Sequence, residues 1–232
     1  MIFDESAHLK KGDKSVGVSR QYAGVIGKVD NCQVGVYASL VNTNLAGLVN
    51  ERLFIPKSWI GNKPRCKKAG IPAEHISFKT KPQMVLEMID EMINDDIEFD
   101  WVGGDGLYGH NTELRKGLDL RGVLFILDVH KDEKVFLSCP EFSISNKGGK
   151  RGRPSKKSKP NIESVRLDKY AAGLESEWSK PIKIRKTHKG WKKQKIHIKK
   201  IWVQEGENHE IKERTLIITQ SINGEKKELK YS

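Results

Sequence analysis

The chain has 232 residues, 42 Lys+Arg against 30 Asp+Glu, a formal net charge of +12 and 37% hydrophobic residues. That length fits one large domain or two small ones, at roughly 100–200 residues each, and the apolar share is enough for one sizeable core. No run approaches the roughly 18 apolar residues of a spanning helix. Three cysteines without CxxC spacing exclude a disulfide-stapled scaffold, and Met1-Ile-Phe followed by Asp4 and Glu5 is not a secretory leader, so a reduced cytoplasmic compartment is expected.

In chain order, Ile2-Phe3-Asp4 reads as the end of a strand. Ser15 to Tyr22 and Cys32 to Leu40 alternate apolar and polar residues, with a turn at Gly24-Val-Ile-Gly27, which predicts a three-stranded antiparallel meander. Residues 50–80, punctuated by Pro, Gly and Lys, read as an excursion from the sheet. Lys81-Pro82 opens a helix whose Met84, Val85, Met88, Ile89 and Met92 recur at helical spacing, a core stripe. Phe99-Asp-Trp-Val-Gly103 predicts a short strand ending at Gly104-Asp105-Gly106. Asn111 predicts the cap of a helix reaching Leu118, with Glu113 in its first turn, and Val123 to Val129 a further strand. Strands alternating with helices after a meander imply parallel strands joined by crossovers. The fold class is therefore α/β, a mixed sheet with helices on its faces.

The charge is concentrated next. Lys147 to Gln204 holds 19 Lys/Arg and 4 Asp/Glu, a net of +15, and the rest of the chain has a net of −3. A localised basic block points to a polyanion partner, nucleic acid above all, against a solvated linker. Its first part, Lys147 to Pro160, is too rich in Gly, Pro and Ser to pack and reads as an exposed linker. Within it Arg151-Gly-Arg-Pro154 resembles an AT-hook, although phosphate contact without groove reading fits four residues better. The second part, Trp178 to Gln204, has no Asp or Glu, and its Lys183, Arg185, Lys193 and Lys195 alternate with Ile182, Ile184 and Ile196. This predicts antiparallel strands with one buried face and one basic face. Lys150, Arg151, Arg153, Lys156, Lys157, Lys183, Arg185, Lys192, Lys193 and Lys195 are the candidates for DNA contact. Trp178, Trp191 and Trp202 fit core anchors of a small sheet better than base-stacking platforms. Thr215 to Thr219 and Glu228 to Tyr231 predict a hairpin turning at Asn223-Gly224.

Asp4 and Asp105 each follow a short apolar run, at strand ends where α/β chemistry gathers. Paired carboxylates on adjacent strands suit a divalent metal and phosphoryl transfer. An Asp at a strand end is also a turn former or helix cap. Both readings stand on the residues alone. Scattered histidines, Cys66 among lysines and glycines 103, 104, 106 and 109 form no metal, thiol or phosphate-loop motif.

Asp4-Glu-Ser, Lys10-Lys-Gly12, Ser15-Val-Gly-Val-Ser-Arg-Gln-Tyr22, Gly27-Lys28 and Asn31-Cys-Gln-Val34 form an ordered set. Pro56-Lys-Ser-Trp59, Phe78-Lys-Thr-Lys-Pro82, Trp101-Val-Gly-Gly-Asp-Gly-Leu-Tyr-Gly109, the Arg-Gly-Arg-Pro stretch and Lys230-Tyr-Ser232 continue it. Together they resemble the DDE transposases of bacterial insertion sequences. The resemblance implies a ribonuclease-H-like core over 1–146, lacking its last helix, and a basic linker with a β-rich insertion over 147–232. It implies Asp4 and Asp105 as catalytic metal ligands, Mg²⁺ (or Mn²⁺) as cofactor, and cleavage and joining of element-end DNA by a dimer in a synaptic complex. Glu5 falls beside the first acid without being a ligand, and Lys11, Arg20 and Gln21 match motif positions with a role either at the site rim or in packing.

The family's third acid is a glutamate on a helix after the insertion, within a Tyr-Arg-Glu-Lys signature in the branch resembled. That signature does not occur here, and Glu205, Glu207, Glu210 and Glu213 lie in or beside basic strands as poor substitutes. The resemblance thus implies a transposase piece cut at both ends. Metal ligands act as a unit, so a pair should cut poorly alone. The alternative is a DNA-binding remnant or regulator that occupies element ends.

Overall fold

Alternation in the first 54 residues resolves into four strands: β1 (Ile2–Leu9), β2 (Ser19–Ala23), β3 (Lys28–Val41) and β4 (Ala46–Phe54). The computed structural model describes residues 1–144, 158–174, 176–188, 190–205, 210–222 and 228–232. β3 is the spine: one edge pairs antiparallel with β1, the other with β2 and then with β4. The three expected antiparallel strands are present, but not as a meander: β3 and not β2 is central, with β1 and β2 each paired to it, and β2 starts later than predicted. Gly17 turns the chain at φ 76°, and a Cβ there would lie 2.8 Å from the Phe54 carbonyl oxygen. Such a left-handed position suits glycine. β4 was expected to lie partly within an excursion and is instead a sheet strand. Leu48 and Leu53 are exposed, so this strand carries little of the alternation that marks a half-buried one.

The true excursion follows β4 as two short helices, α1 (Lys57–Ile60) and α2 (Lys63–Lys68). They bury Trp59 and Cys66 against Val18 and Ile71 in a small cluster of their own. α3 (Lys81–Asn94) buries the five residues of the predicted stripe, Met84, Val85, Met88, Ile89 and Met92. Burial of each such side chain contributes roughly 1.5–3 kcal/mol before entropy is counted. Thr80 and Gln83 form a reciprocal capping box at its start, ahead of Pro82. We expect Thr80→Ala to cost about 1 kcal/mol, seen as a lower urea midpoint at unchanged slope. A midpoint equal to the parent's would count against the cap.

β5 (Val102–Gly104), α4 (Gly106–Gly109), α5 (Thr112–Leu120) and β6 (Phe125–Leu127) complete the first unit, Met1–Leu127. Asn111 caps α5 by accepting from the Leu114 amide, as its sequence predicts. β5 pairs parallel with both β1 and β6, giving the order β2-β3-β1-β5-β6 with β4 also on β3. The sheet is mixed and the unit α/β. Phe3, Val36, Ala38, Val102, Leu114 and Leu118 join the α3 stripe in one core. Asp90 of α3 accepts twice from Arg121, both contacts 2.5 Å, and this hydrogen-bonded guanidinium holds the Asp90 carboxyl below the usual range.

The second unit, Asp128–Ser232, is mostly β. β7 (Lys134–Val135) pairs with β10 (Val165–Arg166), and β8 (Phe142–Ile144) with β9 (Ser158–Pro160). α6 (Leu167–Ala172) precedes an antiparallel sheet of β11 (Ile182–Thr187), β12 (Gly190–Glu205), β13 (Glu210–Ser221) and β14 (Leu229–Tyr231), in that order. Val135, Leu167, Ile201, Val203, Leu216 and Ile218 form its core. The β13–β14 hairpin is as expected, and its predicted turn at 223–224 lies outside the described residues.

The predicted burial of the basic strands is overturned. Ile182, Ile184 and Ile198 are 44%, 47% and 63% exposed, and the inward positions of β12 are His197, Ile201, Val203 and Glu205. The register explains this. β11 pairs only with Gly190–Gln194 of β12, whereas β13 pairs with β12 from Gln194 onward. The β11–β12 end is thus a two-stranded ribbon beyond the wider sheet, with little to pack its isoleucines against. No helix of the described residues is long and apolar enough to cross a membrane, which says nothing of a β-barrel.

Candidate active site

Two parallel strands bring the acids together. Ile2 of β1 stands beside Gly103 of β5, and Asp4 and Asp105 each follow that paired position by two residues. Phe3 is buried in the core, and side chains alternate along a strand, so Asp4 faces away from it and is exposed. Asp105 sits just past β5 as the N-cap of α4, accepting from the Leu107 amide at 2.9 Å. Its carboxyl is held above the ordinary aspartate range, first by desolvation and then by the charges of Glu5 and Asp4; the Leu107 amide works in the opposite direction.

Glu5 is on the other side of β1 and is held there. Lys81 at the start of α3 donates to its Oε1 at 2.9 Å, and the Tyr108 hydroxyl donates to its Oε2 at 3.0 Å. Burial, then the Glu5 charge and hydrogen bond, push the Tyr108 phenol far above its usual range, so it stays a donor. Gly104 makes room for this ring, since a Cβ there would lie 3.0 Å from it. Sequence reading gave Glu5, Lys81 and Tyr108 no joint role. They are far apart in the chain, and no local pattern links them.

The donor set suits a hard cation. Mg²⁺ is commonly held by one or two carboxylates together with water and substrate phosphates, without an all-protein cage. A cation between Asp4 and Asp105 would also offset the repulsion that raises Asp105. Among the described residues no group of three or more His, Cys, Asp or Glu gathers to hold a metal.

The sequence pattern of the DDE superfamily endonucleases matches residues 1–195, which include both aspartates. The chain belongs to this family. A stretch of 112 residues is 33% identical to a probable transposase for insertion sequence element IS701 from Microchaete diplosiphon. That match covers 48% of this chain and 26% of the relative, so it spans about a quarter of the relative's length.

Of this DDE family member's basic candidates, Lys150, Arg151, Arg153, Lys156 and Lys157 lie outside the described residues. The other five sit together on the β11–β12 ribbon: Lys183 opposite Lys193, Arg185 opposite Lys192, and Lys195 just beyond. Like charges directly opposite each other destabilise a ladder. Trp191 departs from its expected core role: it is 43% exposed, with the Lys183 ammonium 5.5 Å from its ring centre. Trp178 does pack on the second core and donates to the Leu174 carbonyl. His197 is buried between Tyr170 and Trp178, with the Tyr170 hydroxyl 2.8 Å from its Nε2. Cys66 is buried too, its thiol donating to the Trp59 carbonyl.

Proposed function

We propose that this DDE endonuclease family member works on DNA at insertion-sequence ends, with Asp4 and Asp105 holding Mg²⁺ or Mn²⁺ on a ribonuclease-H-like sheet. The observation that supports this reading is the parallel Ile2–Gly103 pair, which Asp4 and Asp105 each follow by two residues within the segment that matches the family. A divalent ion bound there supplies polarisation of a phosphoryl oxygen and activation of water for strand cleavage. Asp105 binds through a carboxylate anchored by the first turn of α4. Glu5, engaged by Lys81 and Tyr108, positions β1 against α3 and α4 and is not a ligand. The β11–β12 ribbon and the Lys150–Lys157 stretch contact DNA phosphates, and two copies act together on paired ends.

A second reading rests on a specific observation: among the described residues no group of three or more His, Cys, Asp or Glu gathers to hold a metal. It makes the chain a DNA-binding regulator that occupies ends without cutting. Calorimetric titration with Mn²⁺, run beside a nicking assay on element-end DNA, separates the two. We expect Mn²⁺ to bind the full chain and to bind Asp4→Asn at least about tenfold more weakly. Equal binding by both proteins sinks the metal assignment. Metal-dependent nicks that vanish in Asp105→Ala favour the nuclease; end binding without nicks favours the regulator.

A further inference from the structure

The first unit, Met1–Leu127, carries 16 basic and 16 acidic residues, so it is neutral as a whole. Its charge is nonetheless segregated. Residues 10–14 and 57–68 together hold eight Lys or Arg and one Asp. The fold joins these two segments. Arg65 of α2 donates to the Asp13 carbonyl at 2.6 Å, and its guanidinium stacks 3.8 Å from the centre of the Trp59 ring. Trp59 is fully buried and donates to the Val18 carbonyl at 2.8 Å. From the other side, the Asn31 side chain donates to the carbonyls of Lys10 and Gly12 at 2.8 and 2.9 Å. The loop after β1 is thus pinned through its backbone by Asn31 and Arg65.

None of the lysine side chains does this pinning. Lys10, Lys11, Lys14, Lys63, Lys67 and Lys68 are all exposed. Among the described residues none of the six pairs with a carboxylate. Lys63 and Lys67 are four apart on a helix of six residues that contains no acid, a spacing at which like charges repel. A solvated face that served only solubility would intersperse acids among them.

We propose that these six lysines form a phosphate-binding shelf on the first unit for the backbone of duplex DNA, separate from the basic segment of the second. The shelf carries lysine point charges, which bind phosphate without the planar, two-pronged geometry that arginine brings to base edges. It therefore holds the duplex without reading its sequence. The loop of the shelf leaves the same strand that carries Asp4, so a duplex seated there runs on the element that bears the first acid. This deepens the proposed DNA function, but it does not require the metal.

The test uses the full chain, EDTA, and a 30-base-pair duplex of arbitrary sequence, with anisotropy followed from 50 to 200 mM KCl. Each phosphate contact adds about 0.9 to the slope of log affinity against log salt. The triple variants Lys10/Lys11/Lys14→Gln and Lys63/Lys67/Lys68→Gln should each lower the slope by about 2–3 and weaken binding roughly tenfold at 100 mM salt. In the wild type, DNA should protect the same six lysines from amine acetylation, a readout that needs no variant to fold. Shelf variants with the parent slope and unprotected lysines overturn the shelf, as does a wild type that binds no duplex. If Lys183/Arg185/Lys192/Lys193→Gln alone abolishes binding, the shelf fails while the DNA reading survives. Loss of the Mn²⁺ site leaves this EDTA assay untouched, so the two failures are distinguishable.

Discussion

Asp105→Asn should abolish stabilisation by divalent metal and, without metal, make the protein slightly more stable at neutral pH. A ligand that binds only the folded chain stabilises it by about 2.7 kcal/mol at a hundredfold excess over Kd, and removing one of two carboxylates removes most of that. The metal-free gain follows from linkage. Desolvation, then the charges of Glu5 and Asp4, raise the Asp105 carboxyl in the folded state. The contribution of such a group is fully present below its unfolded value, near the ordinary 3.8 of aspartate, and is lost as pH rises through the folded value. At neutral pH Asp105 is thus a net burden. The side chain is exposed, so solvent screening leaves the gain at about a few tenths of a kcal/mol. Asn keeps the cap on α4, because its amide oxygen accepts as the carboxylate does. Thermal melts from pH 3 to 8, with and without Mg²⁺, check both halves. A variant that still gains stability from Mg²⁺, or whose advantage is largest in acid, contradicts the assignment.

Arg214→Met should destabilise the protein by about 3–5 kcal/mol, the cost of breaking a buried ion pair by removing one partner. Glu205 is fully buried in the second unit, and Arg214 donates to both of its oxygens, at 2.9 and 3.3 Å. Most of that loss is the desolvation of a buried carboxylate that has lost its guanidinium. Removing the charge as well, in Glu205→Leu/Arg214→Met, should therefore recover much of it. Chemical denaturation of the two single variants and the double variant measures the coupling. A double variant no better than the worse single would mean that shape, and not charge, holds these strands. The pair also bears on Glu205 as a stand-in third acid: its carboxylate is already committed to Arg214.

Local patterns carried the helices well. The Met84–Met92 stripe and the Asn111 cap are short-range signals, and both lie where their spacing places them. Asp4 and Asp105 stand out as strand-end acids and by the resemblance; that each follows the Ile2–Gly103 pair of β1 and β5 by two residues is a long-range fact that the sequence does not carry. What stayed hidden depends on long-range partners. β4 is a sparsely buried edge, so its sequence lacks clean alternation. The isoleucines of β11 alternate as a buried face would, yet they lie on a ribbon that overhangs the sheet, and alternation alone carries no record of what covers a strand. The engagement of Glu5 by Lys81 and Tyr108 joins residues 76 and 103 positions away, beyond any window of periodicity.

The parallel pairing of β1 with β5 has a kinetic consequence. Its partners, Ile2 and Gly103, are about a hundred residues apart, whereas β1, β2 and β3 pair across short separations. Closing a loop of that length costs chain entropy before any contact offsets it. The antiparallel strands around β3 should therefore zip first and wait, with an open β1 edge, until β5 arrives. During synthesis Asp4 emerges long before Asp105, so a nascent chain has no paired acids. The appearance of divalent-metal affinity in a refolding experiment would time the closure of this sheet, because the two carboxylates become neighbours only in its last step.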